Sequence, residues 1–267
     1  KANRTVSGGI AVEEIDGTAI TFFDGKPVCP SGITGFRGDD SSVVLLNGWT
    51  VSTHSAGQRS ELEIPKELYD AGEVQVVFLD SKKRHWLGSS GQGLAMHDGT
   101  NWNFFRETAE LVNNPVSAIV EDKTGTIWVG AVPSYDKSNQ TFQQPNLHAF
   151  DGTSWHHFSP HDNLGQWNVA GIVVLNEGSF LKDGGIAVGN RAGVSLVNKK
   201  GIINLGVKEG FERPTVSSLT KDANGNIWMS PLFWGPGITW FDGLAFHSIK
   251  KEDGIFSDQI RHIAVDH

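Results

Sequence analysis

Apolar residues along this chain fall in short β-branched runs separated by polar turns, a strand-like pattern that excludes a solenoid of helices. The pattern repeats. "VSAIVEDKTGTIWVG" (116–130) and "VSSLTKDANGNIWMS" (216–230) match without gaps, and "VQVVFLDSKKRHWLG" (74–88) and "ITGFRGDDSSVVLLN" (33–47) keep the same frame. "VAGIVVLNEGSFLKDGGIAVG" (169–189) carries an insertion, and "IRHIAVDH" (260–267) contains only the opening segment.

Each part of the unit has a physical role. The opening segment, as in Val116 to Val120, is apolar enough for a strand buried on both sides. A turn follows, begun by Asp39, Asp80, Asp122, Asp222 or Asp266, whose carboxylate can accept from the backbone two residues on. Gly125 and Gly225 then supply a positive φ. A second strand carries Trp86, Trp128 or Trp228, expected in the core. An outer hairpin closes the unit with an Asp-Gly turn, as in "MHDGTNW", "AFDGTSW", "WFDGLAF" and "FFDGKPV". Starts near 33, 74, 116, 169, 216 and 260 suit four-stranded propeller blades. The N-terminal "GGIAV" (8–12) reads as a second strand without an inner strand before it. Residues 260–267 and 8–29 are therefore expected to complete one blade together. The expectation is an all-β, six-bladed β-propeller, a single domain over 1–267 closed by pairing of the C-terminal strand with the N-terminal blade.

Composition narrows the function. The chain has 267 residues and a net charge of −8, which offers no basic surface to nucleic acid. The single cysteine, Cys29, excludes an internal disulfide and a thiolate zinc cluster. No segment approaches the ~20 apolar residues of a membrane span, and "KANRTVSGG" holds no apolar signal core. No membrane insertion is expected, and any export signal would have been removed beforehand.

The segment "VSAIVEDKTGTIWVG…LHAFDGTSWHHF" resembles the two-component regulator propeller repeat, found in bacterial periplasmic sensor regions and in some exported proteins. A more distant similarity, through "GNIW"-type strands, is to streptogramin lyase propellers. Both rest on scaffold residues. They imply the fold and a periplasmic or extracellular setting, and leave the chemistry to the site.

In a propeller, the loops joining second to third strands gather on one face with those joining one blade to the next. The site is expected there. Glu13 and Glu14, Trp49, Gln92, Tyr135, Arg191, Phe233 and Trp234 would come from the first set of loops, and Trp167 and Arg213 from the second. The longest insertion, "AVPSYDKSNQTFQQPN" (131–146), is polar and interrupts a regular unit. Aromatic faces beside Gln, Glu and Arg suit a carbohydrate-like or other small, partly apolar ligand.

An enzyme is the alternative. Glu13, Glu14, Glu212 and Asp258, with Asn114 and Asn168, are oxygen donors that could hold calcium, as in six-bladed lactonases, although no cofactor is otherwise called for. His161 or His54 could serve a lyase as base. His156 and His157 should point to opposite faces of an outer strand. Docking of a protein partner on the loop face is the third reading, and a contiguous apolar patch would be its sign. "RGD" (37–39) coincides with the turn aspartate and reads as chance.

Overall fold

A computed structural model describes residues 4–7, 10–15, 18–23, 26–27, 36–37, 42–47, 50–55, 58–69, 73–91, 93–105, 114–133, 135–136, 141–142, 146–159, 162–165, 168–178, 181–231, 237–255, 257, 260 and 263. Residues up to 43 are described by backbone alone. Among them, the strands form six four-stranded antiparallel sheets and one of two strands.

The first sheet comprises β1 (Arg4–Ser7), β2 (Ile10–Ile15), β3 (Thr18–Phe23) and β4 (Lys26–Pro27). The second comprises β5 (Phe36–Arg37), β6 (Ser42–Asn47), β7 (Thr50–Ser55) and β8 (Gln58–Glu63). The third has β9 (Val74–Leu79), β10 (His85–Ser89), β11 (Leu94–His97) and β12 (Trp102–Phe105). In the fourth, β13 (Val116–Glu121) and β14 (Ile127–Ala131) are followed by a separate hairpin, β15 (Tyr135–Asp136) and β16 (Thr141–Phe142), before β17 (Leu147–Phe150) and β18 (Trp155–Phe158). The fifth holds β19 (Gly171–Leu175), β20 (Gly185–Asn190), β21 (Gly193–Asn198) and β22 (Gly201–Leu205). The sixth holds β23 (Val216–Lys221), β24 (Ile227–Pro231), β25 (Ile238–Phe241) and β26 (Phe246–Ile249).

Every four-stranded sheet is a meander in chain order, so its two ends differ. The turns from first to second and from third to fourth strand lie at one end, here called the turn end. The remaining connections lie at the other, the loop end.

The aspartates fix the turn end. Asp122 Oδ1 accepts from the backbone N–H of Thr124 (2.8 Å) and Thr126 (3.1 Å), while Oδ2 accepts from Trp128 Nε1 at 2.8 Å. Asp80 does the same for Lys82, Arg84 and Trp86, and Asp222 for Asn226 and Trp228. Gly125 and Gly225 complete these turns at φ of 82° and 90°, as the spacing predicts. The outer hairpins repeat the device: Asp98, Asp151 and Asp242 each accept two backbone N–H groups from the residues that follow. Asp39 and Asp266, and the Asp24-Gly25 turn, lie outside the described residues.

Successive sheets pack face to face. The first strands lie side by side, β9 beside β13, β13 beside β19 and β19 beside β23. A separate apolar cluster fills each gap from the second sheet to the sixth. Val77 and Leu87 meet Val44 and Leu68, and Trp86 and Phe78 meet Ile119 and Val129. Ile186 and Val188 meet Ala118 and Leu147, and Ile227 and Met229 meet Ala187 and Leu196.

Three glycines set how closely the sheets approach. A β-carbon on Gly88 would overlap Val116, one on Gly130 would overlap Val169, and one on Gly189 would stand 2.7 Å from Val216 Cγ1. In each case the second strand of one sheet runs against the start of the next, and a side chain would push the two apart.

The inner neighbour of β2 differs from the sequence expectation. β2 pairs with β1 on one side, Val12 opposite Thr5, and with β3 on the other, Val12 opposite Thr21. Both edges of β2 are therefore taken, its inner neighbour being Arg4–Ser7; of residues 260–267, only 260 and 263 are among the described residues. Ile263 donates its backbone N–H to Ser218 Oγ at 3.4 Å, beside the first strand of the sixth sheet. Arg4 to Ser7, short and polar, gave no apolar run to mark it as a strand.

Gly130→Val should lower stability by about 1–3 kcal/mol through overpacking against Val169. Thermal denaturation should show Tm falling by several degrees. Asp80→Ala should cost more than Asp122→Ala, because Asp80 is buried and also holds Arg84 Nε at 2.6 Å. Chemical denaturation of the two variants side by side checks the order.

Candidate functional site

The three repeated tryptophans occupy equivalent positions but unequal surroundings. Trp86 is fully buried, stacked on Phe105 of its own sheet at 5.6 Å and covered from the fourth sheet by Phe150 at 5.9 Å, with Trp155 packed behind it. Trp128 has the matching partner in its own sheet, Phe158, at 5.7 Å. Across the next gap, however, the register places Val197 where the fourth sheet has Phe150, and Ile202 where it has Trp155. Two aromatics have become two aliphatics. Trp128 is only half-buried, as is Trp228 in the sixth sheet, which corrects the expectation that both belong wholly to the core.

The missing volume appears as a cleft of about 650 Å³ between the fourth and fifth sheets at the turn end. Its size lies within the usual range for small-ligand sites. Trp128, Phe158, Ala149, Val174 and Val197 form an apolar floor. Lys123, Asp151 and His156 stand on the fourth-sheet rim, with Glu177, Asp183, Lys199 and Lys200 on the fifth. Glu177, Asp183 and Gly184 of the fifth-sheet wall come from the β19–β20 connection, the insertion that sets this repeat apart from its sisters.

Part of the rim charge is already engaged. Asp122 is held by its own turn and by the Trp128 indole. The backbone N–H groups of Ser154 and Thr153, and then His156, keep the Asp151 carboxyl below its ordinary range. Lys200 Nζ meets Asp183 Oδ2 at 2.6 Å. Lys123, Lys199 and Glu177 have no ion-pair partner among the described residues.

The loop-end site fares differently. Glu13 and Glu14 are not loop residues: they sit within β2, opposite Ile20 and Ala19, because β3 follows after a tight connection. Tyr135 belongs to the hairpin inside the long insertion, paired with Phe142. Arg191 and Arg213 are exposed at the loop end. Trp49, Gln92, Trp167, Phe233 and Trp234 lie outside the described residues, as do Asp258 and His161. Asn114 is buried and Glu212 is exposed, while Asn168 keeps a buried Oδ1 without a hydrogen-bond partner. Among the described residues, no three His, Cys, Asp or Glu side chains gather as metal ligands. No described helix is long and apolar enough to cross a membrane.

His148 of β17 and His157 of β18 do not line the cleft, whereas His156 does. His148 is buried and its Nδ1 lies 2.8 Å from Nδ1 of His157, one ring donating and the other accepting. His156 turns to the opposite side, toward Asp151, as strand alternation requires. His148 occupies a register that is polar in other sheets, where Ser195 donates to Asn204 Oδ1 (2.6 Å) and Thr239 lies 3.4 Å from Ser248. The pair thus ties the third strand to the fourth. Burial, and then the neighbouring His157, hold the His148 imidazole down at about 3.

With sheets packed face to face and a ligand-sized cleft between two of them, the described structure defines a β-propeller. The sequence profile of the two component regulator propeller matches residues 110–132, which span β13 and β14. No curated protein matches the chain. Among solved structures, the extracellular domain of BT3049, a hybrid two component system candidate from B. thetaiotaomicron, is 17% identical with a TM-score of 0.66. That match covers 94% of this chain and 34% of the other, so the chain spans about a third of that neighbour's length. Streptogramin B lyase is 12% identical with a TM-score of 0.58, covering 82% of this chain and 69% of the lyase. PorZ, a surface component of the type-IX secretion system of Porphyromonas gingivalis, is 14% identical with a TM-score of 0.57, covering 98% and 42%. These likenesses show the fold.

His148 predicts an acid-sensitive fold. Its native value of about 3 lies below the ordinary 6.5, so the unfolded chain binds a proton that the native state refuses. The contribution is complete above about pH 6.5 and is lost as pH falls toward 3. The slope is up to about 1.4 kcal/mol per pH unit. His148→Thr, borrowing the residue of the sixth sheet, should flatten this part of the stability profile measured by urea titration between pH 4 and 7.

Proposed function

We propose that the chain is a ligand-binding or sensing β-propeller that works outside the bacterial cytoplasm, in the periplasm or at the cell exterior, and recognises a carbohydrate-like ligand. The observation that carries this reading is the cleft beside Trp128, where an aromatic floor is ringed by hydrogen-bonding and charged groups. A sugar offers both an apolar C–H face for stacking and hydroxyls for such a rim. The match to a two component regulator propeller profile, and the fold shared with an extracellular domain of a sensor candidate, support the setting. A closed ring of six blades, the first sheet meeting the sixth, belongs to the same proposal and agrees with six four-stranded sheets.

The loop end is the second reading. Arg191 and Arg213 are exposed there, where Trp49, Trp167, Phe233 and Trp234 would join them from the adjoining connections. A hydrolase, lactonase or lyase activity would use that same end, and a protein partner would dock there.

Val197→Phe tests the cleft without touching its rim. Phe150 already holds the same register in the fourth sheet, so the variant should fold; because Val197 is buried in the cluster beside Trp128, the larger ring should cost about 1–3 kcal/mol while taking up space above Trp128. A saccharide array followed by calorimetric titration should give saturable binding to the natural sequence and at least a tenfold loss in the variant. Binding that survives Val197→Phe but fails in Trp234→Ala would move the site to the loop end. An array without any binder would overturn the saccharide reading.

A further inference from the structure

The cleft's charged groups are not all engaged with one another. Asp122, Asp151 and Asp183 are committed to the turn and indole, to the hairpin N–H groups and His156, and to Lys200 respectively. What remains is one carboxylate, Glu177, and two ammonium groups on opposite walls. Lys123 stands in the β13–β14 turn and Lys199 in the β21–β22 turn. Both are exposed, and neither has an ion-pair partner among the described residues. Asp122 and Asp151 keep their charge, being held mainly by neutral N–H donors, so the lining counts four carboxylates against three ammonium groups; within it Lys123 and Lys199 are the two cations without an ion-pair partner among the described residues. Lys123 also lies close enough to Lys221 that burial, and then the Lys123 cation, push the Lys221 ammonium below its ordinary range against the opposing pull of Asp222. An anion entering from the cleft would ease that repulsion.

We infer that the cleft takes an acidic sugar, a hexuronic acid unit of a saccharide, with its ring against Trp128 and its carboxylate between Lys123 and Lys199. Glu177 then accepts hydrogen bonds from ring hydroxyls, a role for which a carboxylate has only acceptor capacity. A neutral sugar could use the floor and Glu177 but would leave both ammonium groups without a counter-charge. A simple aromatic acid would satisfy the lysines and leave Glu177 facing an apolar edge. This assignment rests on the saccharide-binding reading above and narrows it to one chemical class.

The test is calorimetric titration of the chain with trigalacturonate and, separately, with its uncharged galactose counterpart. The acid should bind at least tenfold more tightly, and the advantage should shrink with added salt. Lys123→Gln combined with Lys199→Gln should reduce acid affinity about tenfold, to the neutral level. Because both residues are exposed, circular dichroism and Tm should match the natural sequence. Equal binding of the two trisaccharides would overturn the inference and leave the saccharide reading standing. Preference for the acid that the lysine variant fails to alter would overturn it too, by placing the site elsewhere. Binding of neither sugar would sink the saccharide reading and this inference together.

Discussion

The close approach of Gly88, Gly130 and Gly189 to the first valine of the following sheet is the constraint on which the remaining structure depends. A four-stranded antiparallel sheet has two apolar faces here, and each must be covered. Coverage on both faces is achieved only if the second strand of one sheet lies almost in contact with the first strand of the next. A glycine at that point allows it, so the β-branched residues beside it interdigitate into a continuous series of cores. The Asp–Trp bond acts one step further out. It fixes the indole relative to its own turn, so that the third, fourth and sixth sheets present the same large side chain at the same height.

Given that frame, a change of residue size at one register is enough to open a cleft. Where the fourth sheet meets Trp86, Phe150 and Trp155 close the gap. Where the fifth meets Trp128, Val197 and Ile202 leave it open. The backbone spacing does not collapse to fill the loss, because it is set at the glycine contacts near the first strands. In the sixth sheet the face carrying Trp228 resolves the same question internally: Trp240 stacks on Trp228 at 4.9 Å and His247 on Trp240 at 4.9 Å. His247 Nε2 is held by Asp242 Oδ2 at 2.7 Å, which orients the ladder's outer ring.

Much of the scaffold was legible from the residues. β9, β13 and β23 begin at Val74, Val116 and Val216, the first residues of the aligned repeats, and Asp80, Asp122 and Asp222 cap their turns as their spacing requires. β1 escaped notice because Arg-Thr-Val-Ser carries no apolar signal, and its pairing is dictated by β2 rather than by its own composition. The cleft escaped for a different reason. Repetition draws attention to where large residues recur, whereas this site is made where Val197 and Ile202 stand in place of larger ones, on outer strands whose alignment is weak. The insertion between β19 and β20 was the visible trace of it. The candidate residues at the loop end came from connections with no repeat to constrain them, which is why Glu13, Glu14 and Tyr135 were assigned to loops and belong to strands.

All of the cleft's lining comes from strands and from the connections at the turn end. Among the described residues, the connections on the opposite side contribute none of the lining. Lengthening, shortening or rewriting those connections would therefore leave the cleft's shape intact, and the two ends of the molecule are free to diversify independently. One scaffold of this kind can keep the shape of a cleft on one side while the connections on the other are rewritten.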